Sequence, residues 1–143
     1  MSTTSDAEQL KLDWLKRLGD LIEDVRTWAT NLGWSTRKIE TSIDDSQLGR
    51  HTVPAILIQR DTTRILIEPI ARLAASGADG VVDLYLLPAY DDIASIYHYD
   101  DGWHLHYMFP KQATATIIQE AESKPFSASV FENVVEEMVK NAV

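Results

Sequence analysis

The sequence has 143 residues, of which 45% are hydrophobic, 24% charged and 8% aromatic, a composition that suits one packed domain and argues against disorder. Lys and Arg number 13 against 22 Asp and Glu, and the resulting net charge of −9 argues against nucleic-acid binding, which needs a concentrated basic patch. The absence of cysteine excludes a disulfide scaffold, a thiol nucleophile and cysteine-ligated zinc or iron–sulfur sites.

The N-terminal segment has the apolar spacing of a long amphipathic helix. Its apolar residues recur at steps of three or four, at Leu10, Trp14, Leu18, Leu21, Val25, Trp28 and Leu32. Ser5 with Glu8 fits a capping box, and Gly33 fits a C-terminal stop. Because the apolar stripe continues through Gly19, we predict one helix, with a kink at this glycine as an open alternative. The stripe from Trp14 to Trp28 is expected to face a sheet.

The hydrophobic period then changes to two, which indicates β-strands. Six strands are predicted, at residues 37–43, 53–60, 63–68, 81–87, 93–99 and 103–109. Their short connections favour an antiparallel meander. Residues 111–125 remain open, since β-branched residues weaken a helix there. Ser127 is predicted to cap a final helix through residue 141, with Phe126 and Phe131 as a hydrophobic staple. We therefore predict a two-layer α+β fold, as one domain over residues 1–143.

The expectations for localisation and catalysis rest mainly on the absence of known sequence motifs. No secretion signal, apolar stretch of membrane-spanning length or lipidation motif is visible, so a cytoplasmic protein without membrane association is expected. The nucleophile elbow, the zinc-protease helix motif, the phosphate loop and the dinucleotide fingerprint are also absent. The sequence therefore favours a protein without enzymatic activity.

The hairpin around Asp100-Asp101-Gly102 determines which side chains share a sheet face. A two-residue Asp101-Gly102 turn would place Asp100 opposite Trp103, whereas a three-residue turn with a left-handed Gly102 would place Tyr99 opposite Trp103. Because the two registers differ by one residue, they place opposite sets of side chains from the two strands on the same face of the sheet. The three-residue turn is preferred because it makes one face uniformly apolar or aromatic, with binding candidates Tyr97, Tyr99, Trp103 and Tyr107.

The preferred register brings three histidines to the other face. His98 would lie across from His104, with His106 two residues along the strand. Three imidazoles with an open fourth position are the ligand set of a catalytic zinc site, with Glu68 or Asp83 available to orient them. The alternative is an ordinary polar outer face. A metal-binding protein or metal-dependent hydrolase holding Zn²⁺ or another divalent metal is therefore the second function considered.

Three pairs of adjacent aspartates, at 44–45, 91–92 and 100–101, are interpreted as turn residues, because aspartate bonds local backbone N–H groups. The tyrosines and tryptophans of the strands have the composition of a protein-binding surface, and two helices do not fully cover six strands. The leading prediction is thus a small acidic protein-interaction module, of an adaptor, chaperone-like or inhibitor-like kind, that binds a protein partner or forms a homodimer. No cofactor is expected outside the metal alternative.

Overall fold

The N-terminal helix, α1, spans Asp6–Asn31 without interruption at Gly19 in a computed structural model that describes residues 6–74, 77–107 and 124–141. The helix is terminated by Gly33, which lies two residues beyond Asn31 and has a φ of +88°. Trp34 N–H donates to Ala29 O at 2.9 Å and Gly33 N–H to Thr30 O at 3.1 Å, the bond pattern of a Schellman motif. The predicted single helix and its C-terminal stop are confirmed, whereas Ser5 of the predicted capping box lies outside the described residues.

In the described part of the chain, seven antiparallel strands follow in a meander, and each pairs with its neighbour in sequence. They are β1 (Ser35–Ile43), β2 (His51–Arg60), β3 (Thr63–Ala71), β4 (Val81–Leu87), β5 (Asp91–Tyr99), β6 (Gly102–Tyr107) and β7 (Lys124–Pro125). The predicted meander is confirmed, and the two-residue β7 is an additional strand. The predictions for residues 108–123 lie outside the described residues.

The C-terminal helix, α2, spans Ala128–Asn141. Ser127 caps it as predicted, since its hydroxyl accepts a hydrogen bond from Val130 N–H at 3.3 Å. Phe126 and Phe131 lie on either side of this cap with ring centroids 6.2 Å apart, in the staple arrangement. Both Phe rings also pack against Trp28 of α1, which joins the two helices.

Both helices cover the same face of the sheet. The core there combines fully buried residues of α1, such as Trp14 and Leu18, with Phe131 of α2 and alternating strand residues, such as Ile67 and Leu84. The predicted stripe of α1 does face the sheet, although Trp28 is only partly buried and turns towards α2. This two-layer α+β arrangement was predicted.

The opposite side of strands β3 to β6 is covered by neither described helix, and we call it the open face. Side chains alternate along each strand, so it carries the positions between the core residues. It consists of Arg64, Leu66, Glu68, Val81, Asp83, Tyr85, Leu87, Ser95, Tyr97, Tyr99, His104 and His106.

The β5–β6 hairpin has neither of the two predicted registers. Asp100 and Asp101 form the turn, so Tyr99 lies opposite Gly102 and His98 opposite Trp103. Gly102 has a φ of +122°, the left-handed conformation that was expected of it. The prediction that paired Tyr99 with Trp103, and His98 with His104, is wrong.

Packing beside Gly80 explains the observed register. A Cβ on Gly80 would lie 3.0 Å from Trp103 Cη2, 3.1 Å from Trp14 Cζ3 and 3.2 Å from His98 Cβ, so the missing side chain lets these residues meet. Trp103 and His98 therefore both belong to the helix side, with ring centroids 5.0 Å apart. Uniform apolarity was the wrong criterion, because tyrosine and histidine suit a half-buried surface as well as a core.

Candidate functional site

A row of polar side chains crosses four adjacent strands of the open face. Glu68 of β3 lies opposite Asp83 of β4, Asp83 opposite Ser95 of β5, and Ser95 opposite His106 of β6. Directly opposed side chains on one face have Cβ atoms about 4.5–5.5 Å apart. The register thus places two carboxylates, a hydroxyl and an imidazole in one continuous row.

Asp83 is the buried centre of this row, with 8% of its surface exposed. Its Oδ1 accepts a hydrogen bond from Ser95 Oγ at 2.7 Å, and its Oδ2 accepts one from the Tyr85 hydroxyl at 3.3 Å. Hydrogen bonds of this kind compensate for part of the cost of burying a carboxylate. They also hold the carboxylate in a defined orientation on the sheet.

The neighbouring carboxylate, Glu68, is electrostatically unfavourable where it stands. Burial raises its pKa, and the negative charge of Asp83 raises it further, whereas a hydrogen bond from Thr41 lowers it. In the described part of the chain, neither Glu68 nor Asp83 forms an ion pair with a Lys or Arg. The pair is therefore a local concentration of negative charge without a described cation.

Aromatic rings flank the carboxylates. Tyr97 contacts His106 edge to face, with ring centroids 5.8 Å apart, and lies 6.5 Å from Tyr99. Tyr99 in turn contacts His104 at 5.6 Å. On the other side of the row, Tyr85 lies 6.1 Å from Tyr90. All the rings of this set except Tyr90 are half-buried, so each presents part of its surface on the open face.

An acidic cavity of about 300 Å³ adjoins this aromatic cluster at the β5–β6 turn. It is lined by Gly77, Asp79, Tyr99, Asp100 and Asp101, so Tyr99 belongs both to the cluster and to the cavity wall. A hydrogen bond from His104 lowers the pKa of Asp101. Asp101 therefore contributes a negatively charged carboxylate to the wall of the cavity.

On the helix side of the cavity, Asp79 already has two partners. His98 Nδ1 lies 2.6 Å from its Oδ1, and Arg17 donates to its backbone oxygen at 2.8 Å. The backbone N–H of Asp79 also donates to His98 O at 2.9 Å, and the backbone N–H of His98 donates to Gly80 O at 2.9 Å. Asp79 therefore anchors the loop before β4 to α1 and β5.

The three predicted metal ligands do not come together. His104 and His106 share the open face, but His98 lies on the helix side, bound to Asp79. No group of three or more metal-ligating residues suited to holding an ion occurs within residues 6–74, 77–107 and 124–141. Because a one-residue change in register moves a whole strand to the other face, the predicted three-histidine site is wrong.

The predicted aromatic binding set is also divided. Tyr97 and Tyr99 lie together on the open face, whereas Trp103 packs on the helix side. The backbone of Tyr107 pairs with Ala94, and its side chain lies outside what the structure describes. Two of the four predicted residues therefore belong to the candidate site.

Sequence reasoning gave Glu68 and Asp83 only a supporting role and did not single out Ser95. A usable signal was present in Asp83, the single charged residue in the otherwise apolar or aromatic strand 81–87. A carboxylate is rarely buried without a partner, so such a position indicates a polar network on one face. Which residues complete the network depends on the pairing of strands and is not visible in the sequence.

Comparisons with protein-family models, with curated proteins and with solved structures found no match to this chain. Within the described ranges, neither helix has the length and apolar character needed to cross a membrane.

Proposed function

We propose that the protein is a non-enzymatic protein-interaction module whose open face binds a positively charged segment of a partner. The observation that carries this proposal is the pair Glu68 and Asp83, two adjacent carboxylates that share no described cation. A partner's guanidinium or ammonium group would supply that cation. It would replace the repulsion between the two carboxylates with attraction.

The surroundings of the pair favour arginine in particular. The planar guanidinium group bonds carboxylates with two parallel N–H groups and stacks on aromatic faces. Tyr85 and Tyr97 flank the carboxylates and offer such faces. The acidic cavity beside Tyr99 gives a second place for a basic side chain of the same segment.

The charge of the whole molecule supports the same type of partner. A net charge of −9 attracts a basic segment over a distance of several ångströms and accelerates its encounter. Tyrosine is also among the residues enriched at the centres of protein interfaces. A cytoplasmic location and the formation of a homodimer remain predictions.

Two-dimensional ¹⁵N NMR provides a direct test with a defined probe. Acetyl-arginine amide is titrated into the protein, and its neutral isostere, acetyl-citrulline amide, serves as the chemical control. We expect saturable shifts of the Asp83, Ser95 and Tyr97 amides with arginine and much smaller shifts with citrulline. Equal shifts with both probes, or shifts spread evenly over the acidic surface, would refute the proposal.

Two variants separate binding from folding. Glu68→Gln is expected to weaken arginine binding and yet raise the melting temperature, since it removes the repulsion from Asp83 and keeps a bond to Thr41. Asp44→Asn removes one charge at an exposed site and should leave binding unchanged. If both variants affect the arginine shifts equally, the protein attracts arginine only through its overall charge, and the open-face site is wrong.

A further inference from the structure

The two edges of the sheet differ in the surface they leave for another strand. At one edge β7 has two residues, whereas at the other β1 has nine, Ser35–Ile43. Within the described residues, strand β1 pairs only with β2, in a register without bulges, and it contains no proline. Long, regular edges of this kind are the ones that pair with further strands, and short or bulged edges are protected from doing so.

The hydrogen bonds of the β1–β2 hairpin show which backbone groups of β1 point outward. Asp45 and Gly49 exchange both N–H···O bonds, at 3.2 and 2.8 Å, and they continue the β1–β2 register. Hydrogen-bonded pairs alternate along an antiparallel ladder. The odd-numbered residues of β1 therefore bond to β2. The even-numbered residues Thr36, Lys38, Glu40 and Ser42 direct their N–H and C=O groups away from the sheet.

We propose that β1 pairs antiparallel with β1 of a second copy of this chain, with Ile39 opposite Ile39 on the two-fold axis. Lys38 then lies opposite Glu40 of the other copy, and Glu40 opposite its Lys38. Thr36 and Ser42 form the outer pairs. Each of these four pairs joins residues whose N–H and C=O groups point outward, so the two strands can form backbone hydrogen bonds at every pair. The same register places the opposite charges of Lys38 and Glu40 next to each other.

Charge selects this register over its neighbours. A symmetric pairing centred on Lys38 would place lysine against lysine, and one centred on Glu40 would place glutamate against glutamate, which destabilises a strand pair. The repulsion between two copies that each carry a net charge of −9 is reduced at this edge, since Arg37 and Lys38 outnumber Glu40 there. Lys38 is half-exposed in a 3.5 Å contact with Glu23, a surface ion pair that is readily exchanged.

This pairing goes beyond the open-face binding proposed above and rests on different residues, so either can fail alone. Sedimentation equilibrium of the full chain, from micromolar to millimolar concentration, is the test. We expect a reversible dimer of twice the 16.1 kDa chain mass, which weakens as salt screens the Lys38–Glu40 pairs. A chain that remains monomeric throughout this range would overturn the proposal.

Charge reversal tests the register itself. Glu40→Lys should abolish the dimer because lysine then meets lysine, and the double variant Lys38→Glu with Glu40→Lys should restore it. Glu132→Lys makes the same charge change at an exposed position of α2 and should leave the dimer intact. Melting curves establish that each variant is folded. A dimer that survives Glu40→Lys, or that the double variant fails to restore, would show that this register is wrong.

Discussion

The ion pair between Asp45 and Arg72 should make the folded state sensitive to strong acid. Asp45 lies in the β1–β2 loop, and its carboxylate accepts hydrogen bonds from Arg72 Nε at 2.8 Å and Nη2 at 3.1 Å. Both side chains are almost fully buried, at 4% and 6% exposure. The same carboxylate accepts hydrogen bonds from the N–H groups of Gln47 and Leu48, each at 2.8 Å. This aspartate therefore shapes its own turn and holds the segment after β3.

The contribution of this ion pair to the free energy of unfolding follows from the pKa of Asp45. Burial alone would raise the pKa of Asp45, but the hydrogen bonds from Arg72, Leu48 and Gln47 and the charge of Arg72 lower it from 3.8 to about 2. Because the folded pKa lies below the unfolded one, the stabilisation is complete above 3.8 and is lost as the pH falls through about 2. The lowered pKa corresponds to a stabilisation of the folded state by about 2 kcal/mol at neutral pH and by about 1 kcal/mol at about pH 3.

Urea unfolding of the wild type and of variants at a series of pH values measures the contribution of Asp45 as a difference in the free energy of unfolding. Asp45→Asn keeps an acceptor for the turn but leaves Arg72 buried without its carboxylate, so we expect a loss of about 2 kcal/mol or more at neutral pH. The difference from wild type should shrink as the pH falls towards 2. Asp44→Asn, which affects an exposed contact with Arg50, should cost less than about 1 kcal/mol. A wild-type advantage that does not change with pH would refute this reasoning.

Five further substitutions test the packing and the hairpin by chemical denaturation or thermal melting. Gly80→Ala should destabilise by about 1–3 kcal/mol, since its Cβ would press on three side chains, whereas Gly19→Ala, which meets nothing within 4 Å, should stabilise α1 by up to about 1 kcal/mol. Equal effects of these two changes would contradict the close packing. Gly102→Val should lower the melting temperature more than Asp101→Ser, because only Gly102 has a left-handed φ, and the reverse order would contradict the turn geometry. Trp14→Ala should cost about 3–5 kcal/mol, since this ring is fully buried and donates a hydrogen bond to His51, and a loss below about 1 kcal/mol would mean that it packs loosely.

The sequence by itself determined the order of the elements and several of their ends. The change from a helical period to a period of two, and the short connections between strands, were sufficient to predict helix, antiparallel meander and helix. The stop at Gly33, the Ser127 cap and the left-handed Gly102 were equally visible. All these features depend on interactions between residues close together in the chain, so local chemistry specifies them.

The tertiary structure alone decided which side chains share a face, and with that the candidate site. A slip of one residue exchanges the faces of a strand, and tyrosine and histidine are compatible with either face, so the pattern around Gly102 could not select the register. The selection came from Gly80, where Trp103, His98 and Trp14 meet across distant parts of the chain. The same long-range packing separated His98 from the other histidines and aligned Glu68 with Asp83, because strand pairing and helix packing act together on residues that are far apart in sequence.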